Sequence, residues 1–212
     1  MGYAGTAAGS EEEEEWNMDI YLMRHGETEW NRIRRLQGIT DIPLNENGIE
    51  EAQQAADWLR DVPFDRIYTS PLCRARQTAE IVRRDRPIEI IETEGLKEIS
   101  FGEYEGLICQ KEGYNIPDPD FPRFFEDPEH YQTAPGGESI QHLQKRTLQF
   151  VRSVMDDPQN EGMTFLMTTH GAAIRGILSG LQELPLKEFW SGRVHKNCGV
   201  TKIQVEGRTF RI

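Results

Sequence analysis

The sequence predicts an α/β fold: a mostly parallel central sheet with helices on both faces, plus an irregular insert over the active site. Three observations lead there. Short apolar runs alternate with segments of helical periodicity from residue 18 onward, capping and turn residues fall between them, and residues 107–137 break the pattern with prolines and aromatics. At 212 residues the chain suits one domain, which can bury roughly 70% of its unfolded surface without disulfide or metal staples.

Residues 1–17 join Gly, Ala and Ser to the run Glu11 to Glu15 and lack the basic start and apolar stretch of a secretory signal. They read as a disordered extension or an expression scar, leaving a single domain over 18–212. Asp19 to Met23 is a short apolar strand. Asn45 can cap a helix with Ile49, Ala52, Ala56 and Leu59 on one face, and Arg66 to Thr69 is a second strand. Ser70-Pro71 is a helix start, Ser as N-cap and Pro at the first helical position, with Ala75, Ala79 and Val82 facing inward. Ile88 to Ile91 is a third strand. The insert follows, 107–137, without periodicity. Ser139 then opens a helix with Ile140, Leu143, Thr147, Phe150 and Val154 on one side. Thr164 to Thr168 is a fourth strand running into His170, Ala172 to Leu178 a helix, and Val200 to Val205 the last strand. Trp30, Trp58 and Trp190 read as packing residues, and Glu103 and Glu105 as solvated surface.

Composition narrows the function. Twenty-four Lys and Arg stand against 36 Asp and Glu, a net charge of −12, so the general field repels nucleic acid and anionic membranes. Mean hydropathy is −0.64 and no apolar run approaches the roughly 18 residues of a membrane span, so a soluble chain is expected. Cys73, Cys109 and Cys198 are odd in number and show no ligand spacing, which fits reduced thiols in the cytoplasm.

Two histidines fall at strand carboxyl ends, where α/β folds collect ligands. His25 follows the first strand and His170 the fourth, each with a Gly after it that lets the chain turn and leaves the imidazole exposed. Arg24 beside His25 makes sense if both face an anion such as a phosphoryl group. Arg74, in the first turn of the Ser-Pro helix, adds a third positive group. A proton donor for a leaving oxygen is supplied best by Glu98, just after the third strand among apolar neighbours. Competing phosphoryl-transfer chemistries lack their residues. There is no P-loop, the positions six after each Cys hold Ala79, Asn115 and Gln204 in place of Arg, Asp118 and Asp120 sit in the insert, and no metal-ligand spacing occurs.

These residues, with Asn31, Leu36-Gln37-Gly38, the Ser70 to Ala79 stretch, Phe101 to Gly106 and Pro135 to Ser139, resemble the histidine phosphatase (phosphoglycerate mutase-like) superfamily over about residues 18–206. The resemblance implies that His25 is the nucleophile and forms a phosphohistidine that water hydrolyses. It implies further that Arg24, Arg74 and His170 hold the phosphoryl oxygens and that Glu98 protonates the leaving group and then helps activate water. Asn31 would donate to the phosphoryl group, with Gln37 and Gly38 lining the pocket, and no cofactor or metal would be needed.

Within the superfamily the insert points to the small phosphatase branch. A mutase must retain a bisphosphorylated intermediate, yet residues 107–135 set Lys111 and Arg123 against six acids. Tyr104, Tyr114, Phe121, Phe124, Phe125 and Tyr131 offer aromatic surface to a small phosphomonoester with an apolar or ring-bearing leaving group; α-ribazole and broad-specificity phosphatases are the nearest relatives considered. The alternatives are a cofactor-dependent phosphoglycerate mutase and a non-catalytic phosphoryl-binding module.

Overall fold

The computed structural model describes residues 17–110, 112–192, 194–207 and 209–212, so residues 1–16 of the expected extension, and Lys111 of the insert, lie outside the described residues. Six strands, β1 (Asn17–Arg24), β2 (Arg66–Thr69), β3 (Ile90–Glu92), β4 (Thr164–Thr169), β5 (Val200–Glu206) and β6 (Thr209–Arg211), form one sheet in the order β3-β2-β4-β1-β5-β6. The first four pair in parallel, β5 runs antiparallel to β1, and β6 closes the edge antiparallel to β5.

Side-chain alternation along the buried strands splits the core in two. On β4, Phe165 and Met167 join Ile20 and Leu22 beneath α5 (Ile140–Met155) and α6 (Gly171–Leu181). Leu166 turns the other way and meets Met23 and Ile67 under α2 (Glu46–Trp58) and α3 (Cys73–Arg83). Helices therefore cover both faces, as expected. Every residue of α6 is buried, which explains why that segment is apolar all round.

Several boundaries differ from the sequence expectation for physical reasons. Asn17 already belongs to β1. The Asn45 side chain caps α2 by accepting from Gly48 N at 2.8 Å, but the buried stripe is Gly48, Ala52, Ala55 and Ala56, which puts Ile49 at its edge, 38% exposed. Trp58, at the end of α2, is 70% exposed and packs in no core. The Ser-Pro helix begins at Cys73, with Leu72 as its N-cap, because Ser70 is engaged elsewhere. Strand β6 was not expected; it follows Gly207, whose φ of 58° suits a tight hairpin. Among the described residues of the insert there is one short helix, α4 (Arg123–Glu126), and a single turn of 3-10 helix at Gly102–Tyr104 lies just ahead of it. Another short helix, α1 (Glu29–Arg32), follows the first strand.

Candidate active site

Sheet register decides which side chains meet. Arg24 on β1 is the Cα partner of Thr169 on β4, so the next residues, His25 and His170, leave adjacent strands side by side with ring centroids 5.1 Å apart. Ser70, leaving β2, donates its N–H to Thr168 O at 3.0 Å and brings its Oγ within 2.7 Å of His170 Nε2.

The backbone of His25 is tied on both sides: its N–H donates to Thr169 O at 3.0 Å, and its carbonyl accepts from Asn197 Nδ2 at 3.1 Å. Ring Nδ1 lies 2.7 Å from Gly26 O. A carbonyl can only accept, so Nδ1 carries the hydrogen and Nε2 keeps its lone pair. Burial pushes the His25 pKa well below the usual range, and the Arg74 and Arg24 charges push it further than the Gly26 bond can restore. Burial, then Arg74, moves His170 the same way. Neither ring is exposed: His25 is 3% accessible and His170 0%, which corrects the expectation that the following glycines leave them open. Gly26 is there for packing, since a Cβ on it would stand 2.4 Å from Gly48 O at the start of α2.

Arg74 is fully buried in the first turn of α3, donating to Thr40 O at 2.9 Å and Gly38 O at 2.7 Å. Burial lowers its pKa to about 10, which leaves it charged at neutral pH. Arg24 donates to His195 O at 2.6 Å. Arg24 Nε, Arg74 Nε and His170 Nδ1 are buried with no hydrogen-bond partner among the described residues. The Ser70 hydroxyl can donate to His170 Nε2, and in that tautomer Nδ1 is a donor too. Buried donors seldom go unpaired, and three at one place fit an anion with several acceptor oxygens.

The Glu98 carboxylate spans to the N-terminus of α6, accepting from Ala173 N at 3.0 Å and Ala172 N at 3.2 Å, and from Ile99 N at 3.0 Å. Its apolar neighbours Leu96 and Ile99 are in the core, so the carboxylate itself has polar surroundings, unlike the sequence expectation. Arg24, His25, Asn31, Gln37, Gly38, Arg74 and Glu98 line one cavity of about 150 Å³, and His170 packs against His25. Asn31 Oδ1 accepts from Thr28 N and Gln37 Oε1 from the Thr28 hydroxyl, so the NH₂ groups are the ends with donors to spare.

Two readings of the sequence change here. Glu105 is no solvated acid: its carboxylate accepts from Ile39 N at 3.0 Å, Thr40 N at 2.8 Å, Phe101 N at 3.1 Å and the Thr40 hydroxyl. It thereby braces the loop whose carbonyls hold Arg74. Gly38, with φ of 53°, serves the same loop, because a Cβ there would lie 2.1 Å from Glu105 Oε1. The aromatic insert is also less open than expected. Phe121 and Phe124 are each 1% exposed and form a core of their own with Ile99, Phe101 and Phe189. Among the described residues of the insert, Phe124 and Phe125 reach the cavity, joined there by Phe101 and Trp190. Ser70, Asn197 and Glu105 were missed as site-building residues. Ser70 had a signal, its place at a strand end, but Asn197 had none.

A histidine pair at two strand ends, the buried Arg74, the half-buried Arg24 and the Glu98 carboxylate beside them fit a phosphoryl-handling α/β protein, and the chain belongs to the histidine phosphatase superfamily, branch 1, whose model matches residues 20–212. It is similar to the probable phosphoglycerate mutase GpmB of Salmonella choleraesuis strain SC-B67, 31% identical over 196 residues that cover 89% of this chain and 86% of that protein. Among solved structures it resembles Bacillus stearothermophilus YhfR, with a TM-score of 0.84 and 38% identity over 92% of this chain and 95% of that one. It also resembles the phosphoserine phosphatase of Entamoeba histolytica in complex with 3-phosphoglyceric acid, with a TM-score of 0.75 and 32% identity over 92% and 97% of the two chains. Among the described residues no helix is long and apolar enough to cross a membrane.

Proposed function

We propose that this chain hydrolyses small organic phosphomonoesters through a phosphohistidine on His25. The observation that carries the reading is the Nδ1 contact with Gly26 O, which aims an unprotonated Nε2 at a cavity rimmed by Arg24, Arg74 and Glu98. In the first step the Nε2 lone pair forms a bond to phosphorus as the bond to the ester oxygen breaks. Glu98, as the general acid of this step, gives a proton to the departing alkoxide. Arg24, Arg74 and His170 take up charge on the phosphoryl oxygens as it spreads. In the second step water attacks phosphorus, the Glu98 carboxylate takes its proton, and the bond to Nε2 breaks to return neutral His25 and release phosphate. Charge neutralisation falls to the arginines, and the reaction as written uses no metal or cofactor.

The cavity of about 150 Å³ is well below the roughly 300–1,000 Å³ of sites for larger ligands, which supports a small substrate. Phe101, Phe124, Phe125 and Trp190 supply an apolar wall for its leaving group. The mutase reading has the similarity to GpmB in its favour. Against it, among the described residues the insert brings Phe124 and Phe125 to the cavity and no cation that would retain a bisphosphorylated intermediate. The test is a hydrolysis screen with phosphoserine, 3-phosphoglycerate, sugar phosphates and α-ribazole phosphate, scored against His25→Ala. Release of phosphate that the variant loses supports the reading. Isomerisation of 3-phosphoglycerate without phosphate release favours a mutase, and no turnover of any ester favours a binding module.

A further inference from the structure

Glu98 is fixed at two ends. Its carboxylate is tied to α6, and its backbone is tied to α5 by Arg146. Arg146 Nη1 donates to Lys97 O at 2.8 Å and Glu94 O at 3.2 Å, and Nη2 donates to Glu98 O at 2.9 Å. Glu138, one residue before the Ser139 cap of α5, grips the same guanidinium with both oxygens, at 2.7 and 2.8 Å. Its own N–H donates to Ser100 O at 2.8 Å. The strand of chain carrying Glu98 is therefore held at carbonyls on both sides of that residue. Burial raises the Glu138 pKa, but Arg146 and His142 outweigh it and hold the carboxyl below its usual range.

Space behind the segment gives these bonds a purpose beyond packing. A second, open cavity of about 460 Å³ abuts Glu98, with Arg146 and Glu138 in its wall. Without the guanidinium, the segment has room to swing into that space and draw the carboxyl away from the leaving oxygen. Only the planar fork of an arginine can bridge three carbonyls and a bidentate carboxylate together. Neither Glu138 nor Arg146 lines the catalytic cavity. We infer that Glu138 and Arg146 are a positioning pair that sets the placement of the Glu98 acid. This inference rests on the reading of Glu98 as the proton donor.

The test compares Arg146→Ala, Glu98→Gln and the double variant on glycerol 2-phosphate, whose alkoxide needs a proton, and on p-nitrophenyl phosphate, whose leaving group hardly does. Displacement of a catalytic group by about 1 Å costs up to about 10²-fold. Arg146→Ala should lower kcat on the alkyl ester by roughly ten-fold or more and on the aryl ester by about three-fold or less, with KM little changed. The double variant should be no slower than Glu98→Gln on the alkyl ester, because Arg146 acts through Glu98. Equal losses on both esters, or multiplied losses in the double variant, overturn the inference and leave a structural role. If Arg146→Ala does not fold, Glu138→Gln, which loosens the bidentate hold on the Arg146 guanidinium, should show a smaller loss of the same selectivity, and an unselective loss there overturns it as well. A Glu98→Gln without selectivity fails the acid reading and this inference together. Selectivity in Glu98→Gln but not in Arg146→Ala fails the inference alone.

Discussion

Replacing Glu105 by Ala removes one carboxylate that accepts from three backbone N–H groups, Ile39, Thr40 and Phe101, and from the Thr40 hydroxyl. Hydrogen bonds to a charged group are worth about 1.5–3 kcal/mol each, yet Glu105 is half-buried and water replaces part of them, so a net loss of roughly 2–4 kcal/mol follows. For a domain of this size that is a fall in Tm on the order of 10 °C. The kinetic effect runs through Arg74, whose acceptors Gly38 O and Thr40 O lie on the released loop. A displaced Arg74 weakens the hold on the phosphoryl group whatever its leaving group. Glu105→Ala should therefore lower kcat/KM for alkyl and aryl phosphates by the same factor, unlike Glu98→Gln. Urea denaturation and paired steady-state kinetics read both quantities. A stability change under about 0.5 kcal/mol, or a loss selective for alkyl esters, would refute the reasoning and shift the acid role toward Glu105.

The same geometry yields further expectations. His25 and His170 have depressed pKa values in the folded chain, so below about pH 6.5 the unfolded chain binds protons that the folded one does not. Stability is then complete above pH 6.5 and falls as the pH drops from 6.5 toward 5, by up to about 1.4 kcal/mol per pH unit for each ring. The exposed His130, raised by its bond to Asp127, works with the opposite sign. Denaturation curves that are flat over this window would contradict the burial argument. Gly38→Ala, placing a Cβ 2.1 Å from Glu105 Oε1 at a φ of 53°, should cost about 1–3 kcal/mol and raise KM, checked by thermal melts and kinetics. Chelators should leave hydrolysis intact; a full loss restored by Mg²⁺ or Zn²⁺ would remove charge neutralisation from the arginines.

What the sequence made legible was local. The parallel strands announce themselves as short apolar runs, and a histidine after each of two of them places the pair, because adjacent parallel strands end together. The capping residues Asn45 and Ser139 act as their type suggests. What stayed hidden depends on partners far along the chain. Glu105 sits among Gly and Tyr like any surface acid, and its partners Ile39 and Thr40 lie more than sixty residues earlier. Arg146 occupies a polar position of α5 that looks solvated until its carbonyl acceptors, some fifty residues away, come into place. The aromatics of the insert were legible as apolar mass, but no periodicity separates Phe121, sealed in the core, from Phe125, which reaches the cavity.

The proposed reaction depends most directly on His25 as the group that carries the phosphoryl. Enzyme mixed with a radiolabelled phosphomonoester and quenched under alkaline conditions during turnover should hold label that is stable to base and labile to acid, as a phosphoramidate is, and peptide mapping should put it on His25. The label should vanish in His25→Ala that remains folded. Label on a Ser or an Asp, or undiminished turnover in folded His25→Ala, would contradict the account.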